Sequence, residues 1–240
     1  MTKTLVLAGA SAVVLAAPAQ ADPIFDIFGP LPQATFGGTG IPNDEVAAGT
    51  QIVDGDNLIT VALSATQRFS NPALGNDGAG TYFAGPGSNF GGNGESTTEG
   101  SLWNFNFYMS IESLSGGSPR LADYQIDLFY DFDPGVDTAL GDLGRIDVTN
   151  NLLLTDPNAD VAQGSQNLLF NFLSTSVPGL IDAPSGSFDP NALGEYSFAL
   201  TVSQVGGLPA ETVAIDVVVP APASAALFGV AGLVGMRRRR

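Results

Sequence analysis

Between residues 102 and 113 the chain reads LWNFNFYMSIES, in which Trp103, Phe105, Phe107, Met109 and Ile111 alternate with Asn104, Asn106, Tyr108, Ser110 and Glu112. Apolar residues at a spacing of two line one face of an extended strand, whereas on a helix the same residues would be scattered around the axis. The pattern returns at Ile59, Val61, Leu63 and Ala65, and at Tyr124, Ile126, Leu128, Tyr130 and Phe132. It returns again at Tyr196, Phe198, Leu200 and Val202, and at Val213, Ile215, Val217 and Val219. One-sided alternation belongs to antiparallel sheets that bury one face and solvate the other. Glycine (30 residues) and proline (16 residues) interrupt the chain throughout, which favours short strands and turns over long helices. The expected fold is all-β, an antiparallel β-sandwich of jelly-roll-like form with long glycine-rich loops. Trp103, the sole tryptophan, belongs in its core.

Other segments are less regular. NLLFNFLS (167–174) is apolar and closed early by Pro178 and Gly179, and is expected as a strand. Residues 71–100 hold nine glycines and read as a long loop or loop pair with a short edge strand at Thr81–Phe83. Residues 22–49 lack periodicity and are expected to lie along the sandwich as an irregular arm. FDPG (132–135) and FDPN (188–191) echo each other as turn signals after strand ends.

Charge separates the ends from the middle. All 24 acidic residues lie between Asp22 and Asp216, where the only cations are Arg68, Arg120 and Arg145. Such a field repels phosphate backbones and anionic lipid, so nucleic acid is excluded as a partner of the body and cations are its natural counter-species. No cysteine is present, which removes disulfides and thiolate chemistry. The body must then be held by its core alone, and residues 22–219 suffice for a single sandwich domain.

The chain opens MTKTLVLAGASAVVLAAPAQA, with Lys3, an apolar run over 5–17, and Ala19 and Ala21 spaced as an A-x-A cleavage site. These are the three parts of a secretory signal peptide, so residues 1–21 are expected to form a signal helix that is removed after passage through the secretion translocon. At the other end, Val219, Pro220, Ala221, Pro222 and Ala223 precede an apolar stretch over 223–236 and then Arg237, Arg238, Arg239 and Arg240. As a helix that stretch spans about 21 Å, short of a hydrocarbon core of about 30 Å. The arginines can snorkel to headgroups and stay cytoplasmic by the positive-inside rule, holding the tail in the membrane and leaving the body outside.

A secretory signal, a proline motif (VPAPAS, 219–224), a short apolar helix and an arginine cluster together resemble the PEP-CTERM class of bacterial sorting signals. Alanine stands where the name-giving glutamate does in that class. The body segments ADYQIDLFYDFDPG and FDPNALGEYSFALTV also look like those of proteins carrying this signal. The resemblance implies a Gram-negative envelope, an exosortase-type protease acting near the proline motif, transient anchoring in the inner membrane, and association with exopolysaccharide or biofilm. The plainer alternative for residues 220–240 is a C-terminal membrane anchor on which the arginines remain.

Chemistry is sparse. Without histidine or cysteine the commonest general base and the strongest nucleophile are missing, and the one lysine leaves with the signal peptide, so the chain is read as non-catalytic. A carboxylate pair is the formal route to hydrolysis of a polysaccharide, with Glu112, Glu195 and Glu211 in or at the edge of predicted strands. Asp127, Asp131, Asp133, Asp137, Asp142 and Asp147 fall within 21 residues. Of these, Asp131, Asp133, Asp137 and Asp142 are a candidate calcium set in a non-EF geometry, since calcium takes several carboxylate oxygens from one loop; the competing reading is a row of solvated turn residues. Tyr108 and Phe129 stand on otherwise polar faces, as a sugar-stacking platform would require. An exported, non-catalytic surface or matrix protein is therefore the first reading, and a calcium- or carbohydrate-binding adhesin module the second.

Overall fold

The computed structural model describes residues 23–36, 46–69, 74–91, 98–136, 138–204 and 210–221. Among these residues fourteen strands follow one another: β1 (Ile27–Pro30), β2 (Val46–Asp54), β3 (Asn57–Gln67), β4 (Gly75–Asn76), β5 (Thr81–Phe83), β6 (Ser88–Asn89) and β7 (Gly100–Ser101). After them come β8 (Trp103–Ser113), β9 (Gln125–Tyr130), β10 (Gly144–Asp147), β11 (Val161–Gln166), β12 (Ile181–Asp182), β13 (Gly194–Ser203) and β14 (Glu211–Val219). Helix among the described residues is confined to α1 (Leu152–Thr155) and 3-10 turns at Leu121–Asp123 and Asn171–Ser174. The fold is all-β, as the alternation requires.

Two sheets account for most of the strands. One runs β1-β2-β3-β8-β11 and is antiparallel throughout. The other runs β12-β10-β9-β13-β14-β5-β4 and is antiparallel except where β5 lies parallel to β14. The inward residues meet in register: Ile59 opposite Ile111, Val61 opposite Met109 and Leu63 opposite Phe107 in the first sheet, Leu200 opposite both Leu128 and Val213 in the second. One core cluster joins both inner faces. Phe105 stacks on Phe198 across the gap at 4.6 Å, and Trp103 meets Phe198 edge-on at 6.0 Å. Aromatic pairs of this geometry add about 0.5–1.5 kcal/mol each beyond the area they bury.

The N-terminal arm is more regular than its sequence suggests. Ile24 exchanges both backbone hydrogen bonds with Ala214 of β14 (3.1 and 2.8 Å), and two residues later the Asp26 N–H donates to Gly49 O in the other sheet. The arm thus passes from one sheet to the other and closes that edge of the molecule, with Phe25, Phe28 and Tyr82 packed in line. Residues 31–36 then cross the outer face of β2, β3 and β8, where Ala34 and Phe36 bury themselves on Ala47, Ala62 and Tyr108.

Residues 167–174 are not a strand. Leu168 and Leu173 are buried, but Asn167 between them and β11 turns the chain: its Oδ1 accepts the Leu169 N–H at 3.2 Å, and Asn171–Ser174 continue as a 3-10 turn. A side chain that bonds its own backbone two residues on offers the chain an alternative to a ladder. Nearby, Arg68 is buried, donating to Asn89 O (2.7 Å) and Thr98 O (2.9 Å) with its guanidinium 4.4 Å from the Phe69 ring centre. Gly100 makes room for it, because a Cβ there would occupy the space of the guanidinium.

Candidate functional site

Strand β9 sends Ile126, Leu128 and Tyr130 into the core and Asp127 and Phe129 outward, so the acidic stretch begins on the outer face of the seven-stranded sheet. Just past the strand, Asp131 is 1% exposed while Asp133 is exposed. Asp131 Oδ1 accepts the Asp133 N–H at 2.8 Å, and Asp133 Oδ1 accepts the Gly135 N–H at 2.9 Å. These are two side-chain-capped turns in series, which is how aspartate initiates a bend. The 188–191 echo uses the same device, Asp189 Oδ1 accepting the Asn191 N–H at 2.9 Å, and Phe132 and Phe188 pack together at 6.1 Å. The likeness of the two motifs is therefore shared turn chemistry at neighbouring places.

Asp142 is exposed, its N–H bonded to Ala139 O at 2.8 Å, and Asp137 lies outside the described residues. Among the described residues no three carboxylates gather as a metal-holding group, so Asp131, Asp133 and Asp142 do not by themselves form the calcium site expected of them. Asp131 is nonetheless unusual. The Thr138 hydroxyl and the Ser197 N–H lie near its carboxyl, yet no donor makes a well-formed hydrogen bond to Oδ2. Burial pushes its pKa above the ordinary carboxylate value, and hydrogen bonds only partly oppose the shift.

The two ends of the acidic stretch meet around a cation. Asp127 and Asp147 sit directly opposite each other on β9 and β10, a like-charge pair that destabilises a sheet when left alone. Arg145 lies between them: Nη2 is 2.7 Å from Asp127 Oδ1 and 3.4 Å from Asp147 Oδ2, and Nη1 is 3.4 Å from Asp182 Oδ2 on β12. Burial alone would raise the pKa of Asp147. Its bonds from the Asn150 N–H and Nδ2 (2.8 Å each), with the Arg145 charge beside it, outweigh burial and hold it below the usual range. The sequence places Asp127 and Asp147 in one acidic cluster but does not show that Arg145 joins them, because that contact depends on the pairing of β9 with β10.

The hydrolase candidates are kept apart. Glu195 stands opposite Val218 and Glu211 opposite Val202, at the two ends of the β13–β14 ladder. At about 3.4 Å per residue the ladder separates them by about 24 Å, far beyond the roughly 5–9.5 Å of a glycosidase pair. Glu112 belongs to the other sheet and is exposed on β8. Nor does Tyr108 offer a stacking platform: it is 3% exposed, roofed by Ala34, Phe36 and Leu31, because the arm crosses the face that alternation alone would leave to solvent. Phe129 is half-buried beside Ala199 and Arg145.

At the C-terminal end, β14 brings Val219 into the core at 2% exposure, opposite Gly194, and the chain then emerges with Pro220 and Ala221 exposed. Pro222, Ala223 and Arg237–Arg240, like Ala19 and Ala21 at the other end, lie outside the described residues, as do both expected terminal helices. No family model, no curated protein and no solved structure matches the chain.

Proposed function

We propose that this chain is an exported, non-catalytic protein of the cell surface or extracellular matrix, associated with exopolysaccharide or biofilm and delivered through its C-terminal sorting signal. In this reading residues 1–21 direct it through the secretion translocon, residues 22–219 form one jelly-roll-like sandwich, and residues 220–240 are a short membrane helix with an arginine stop, recognised by an exosortase-type protease of a Gram-negative envelope. The observation that carries the proposal is the junction at Val219. Strand β14 ends at that residue, and the proline motif that resembles the sorting signal starts there with Pro220 and Ala221 exposed. The separation of Glu195 from Glu211 and the absence of histidine and cysteine support the non-catalytic part.

Intact-mass measurement of the protein from its native cells tests this. The expected species begins at Asp22 and has lost Arg237–Arg240, in an envelope or extracellular fraction. Recovery from the cytosol with residues 1–21 attached refutes export, and an envelope species that keeps the four arginines replaces sorting by a plain membrane anchor.

A calcium-binding adhesin is the second reading, supported by the buried Asp131 carboxyl with Oδ2 lacking a well-formed hydrogen bond. A ligand that binds the folded state raises its melting temperature by mass action. Millimolar calcium is expected to raise the midpoint above that in chelator, and an unmoved midpoint removes this reading.

A further inference from the structure

The two long edges of the molecule are built differently. One is sealed by the arm that bonds to both sheets. At the other, β11 is the edge strand of the five-stranded sheet and β12, next to β10, that of the seven-stranded sheet, and α1 and the 3-10 turn Asn171–Ser174 contribute residues between them. A cavity of about 330 Å³ opens there. Its floor is Phe107, Leu128, Ile146, Val148 and Ile181, each no more than 8% exposed. Its mouth is formed by Leu152 and Phe172, both 42% exposed, with the amides of Asn151 and Gln166 beside them.

Apolar walls that open to solvent are removed from it when an apolar guest enters, so a space of this size and character is one whose occupation by an apolar molecule the hydrophobic effect favours. We infer that this cavity is a binding site for a small uncharged molecule with an apolar body and one hydrogen-bonding end. The size follows from comparison: an apolar cavity of about 150 Å³ holds benzene, so roughly twice that volume holds about two six-membered rings or their aliphatic equivalent. The cavity also falls within the range of about 300–1,000 Å³ typical of small-molecule sites, which are largely apolar with a few placed polar groups. The polar end is set by the two amides. Asn151 stands at the N-cap of α1 but makes no capping bond to it, leaving its side chain available to a guest. A charged head finds no counter-charge, since no ionisable side chain lines the cavity, and an anionic head is further opposed by Asp182, which adjoins Ile181 in a body whose acidic residues far outnumber its arginines. A carboxylate-headed lipid is therefore rejected while its neutral counterpart is accepted.

The test uses 2-naphthol, a neutral molecule of two fused six-membered rings with one hydroxyl, whose emission changes when apolar surroundings suppress excited-state proton loss to water, titrated into the full chain. Saturable binding at one site per chain is expected, with a rise in melting temperature on saturation. Leu152→Trp, which fills the mouth, and Ile146→Phe, which fills the floor, each weaken binding at least tenfold and abolish the thermal shift. Leu154→Trp lies on the same short helix, 72% exposed and outside the cavity, and leaves binding unchanged. The anionic analogue naphthalene-2-sulfonate, which keeps the two fused rings, binds at least tenfold more weakly. Melting curves without probe verify that each variant is folded, and the two filling variants act from opposite sides so that failure of one to fold leaves the other. Lack of saturable binding, or a signal that survives both filling variants, overturns the inference. Equal or tighter binding of the anionic analogue overturns the exclusion of charge.

Discussion

Replacing Asn167 tests how the structure holds its edge together. The side chain is fully buried, and each of its groups is committed: Nδ2 donates to Ser101 O (3.0 Å), Trp103 O (3.0 Å) and Asn104 Oδ1 (2.7 Å), while Oδ1 accepts from the N–H groups of Ser101 (2.9 Å) and Leu169 (3.2 Å). Asn167→Ala strands the buried Ser101 N–H and strips one donor from two carbonyls. An unsatisfied buried group costs about 1–3 kcal/mol and each lost net hydrogen bond about 1 kcal/mol, so the variant should lose about 3 kcal/mol. In a domain of this size that is a fall in melting temperature of about 6–12 °C, at every pH. Asn167→Asp keeps both acceptor contacts but turns the donor into a second oxygen facing three oxygens. The folded state then favours the protonated acid, so the introduced group has a folded pKa above its unfolded value of about 3.9. Stability of this variant is fully retained below that unfolded value and lost as pH rises through the folded one. Thermal melts of both variants between acid and neutral pH decide the matter. A loss under about 1 kcal/mol for alanine, or an aspartate deficit that fails to shrink in acid, refutes the arrangement of bonds described.

Other outcomes follow from the same geometry. Asp131→Asn should raise the melting temperature at pH 7 and not at pH 3: a buried carboxyl with a raised folded pKa contributes stability that is complete below its unfolded value of 3.8 and is lost as pH rises through the folded value. Melts at the two pH values in chelator check this. Arg145→Leu leaves Asp127, Asp147 and Asp182 facing one another and should cost about 1 kcal/mol at neutral pH, more at low salt because the groups are partly exposed. Since the pKa of Asp147 is depressed in the folded state, its share of stability is present above the unfolded value of 3.8 and lost as pH falls through the folded value, so the deficit of this variant should fade in acid. Urea titrations at two salt concentrations and two pH values read it. Trp103→Ala removes the ring against which Phe188, Tyr196 and Phe198 pack and should cost about 3–5 kcal/mol, measured by urea unfolding.

The strands legible in the sequence are chiefly those with large apolar residues mostly on one face, β3, β8, β9, β13 and β14; the short strand expected at Thr81–Phe83 is also present as β5, but between β14 and β4 rather than at the edge. Strand β2 was hidden because VAAGTQIVD places small residues on both faces: Ala47 packs under the arm while Ala48 enters the main core, so no alternation of polarity remains. Strand β11, VAQGSQ, is a polar edge held by its register to β8, and β10 is only four residues long. Neither carries enough local signal to be seen. The burial of Tyr108 on the outer face of β8 depends on what crosses that face from elsewhere, and periodicity within a strand cannot contain that information. The same reason governs the candidate sites. Acidic density along the chain was visible, but which aspartates meet Arg145, which cap their own turns and which are walled off from solvent is set by pairings between distant segments. The cavity, which lies between elements, has no sequence signature at all.

The position of β14 bears on how the molecule can be assembled. Among the described residues it is the last strand in sequence yet an interior one in space, with β13 on one side and β5 and Ile24 on the other. Until residues 211–219 are available, the earliest folded residues have no neighbour in their sheet and β13 has a bare edge. A chain released from its N-terminus therefore stays incomplete until residues 211–219 follow, and this sheet is joined up only when that segment arrives.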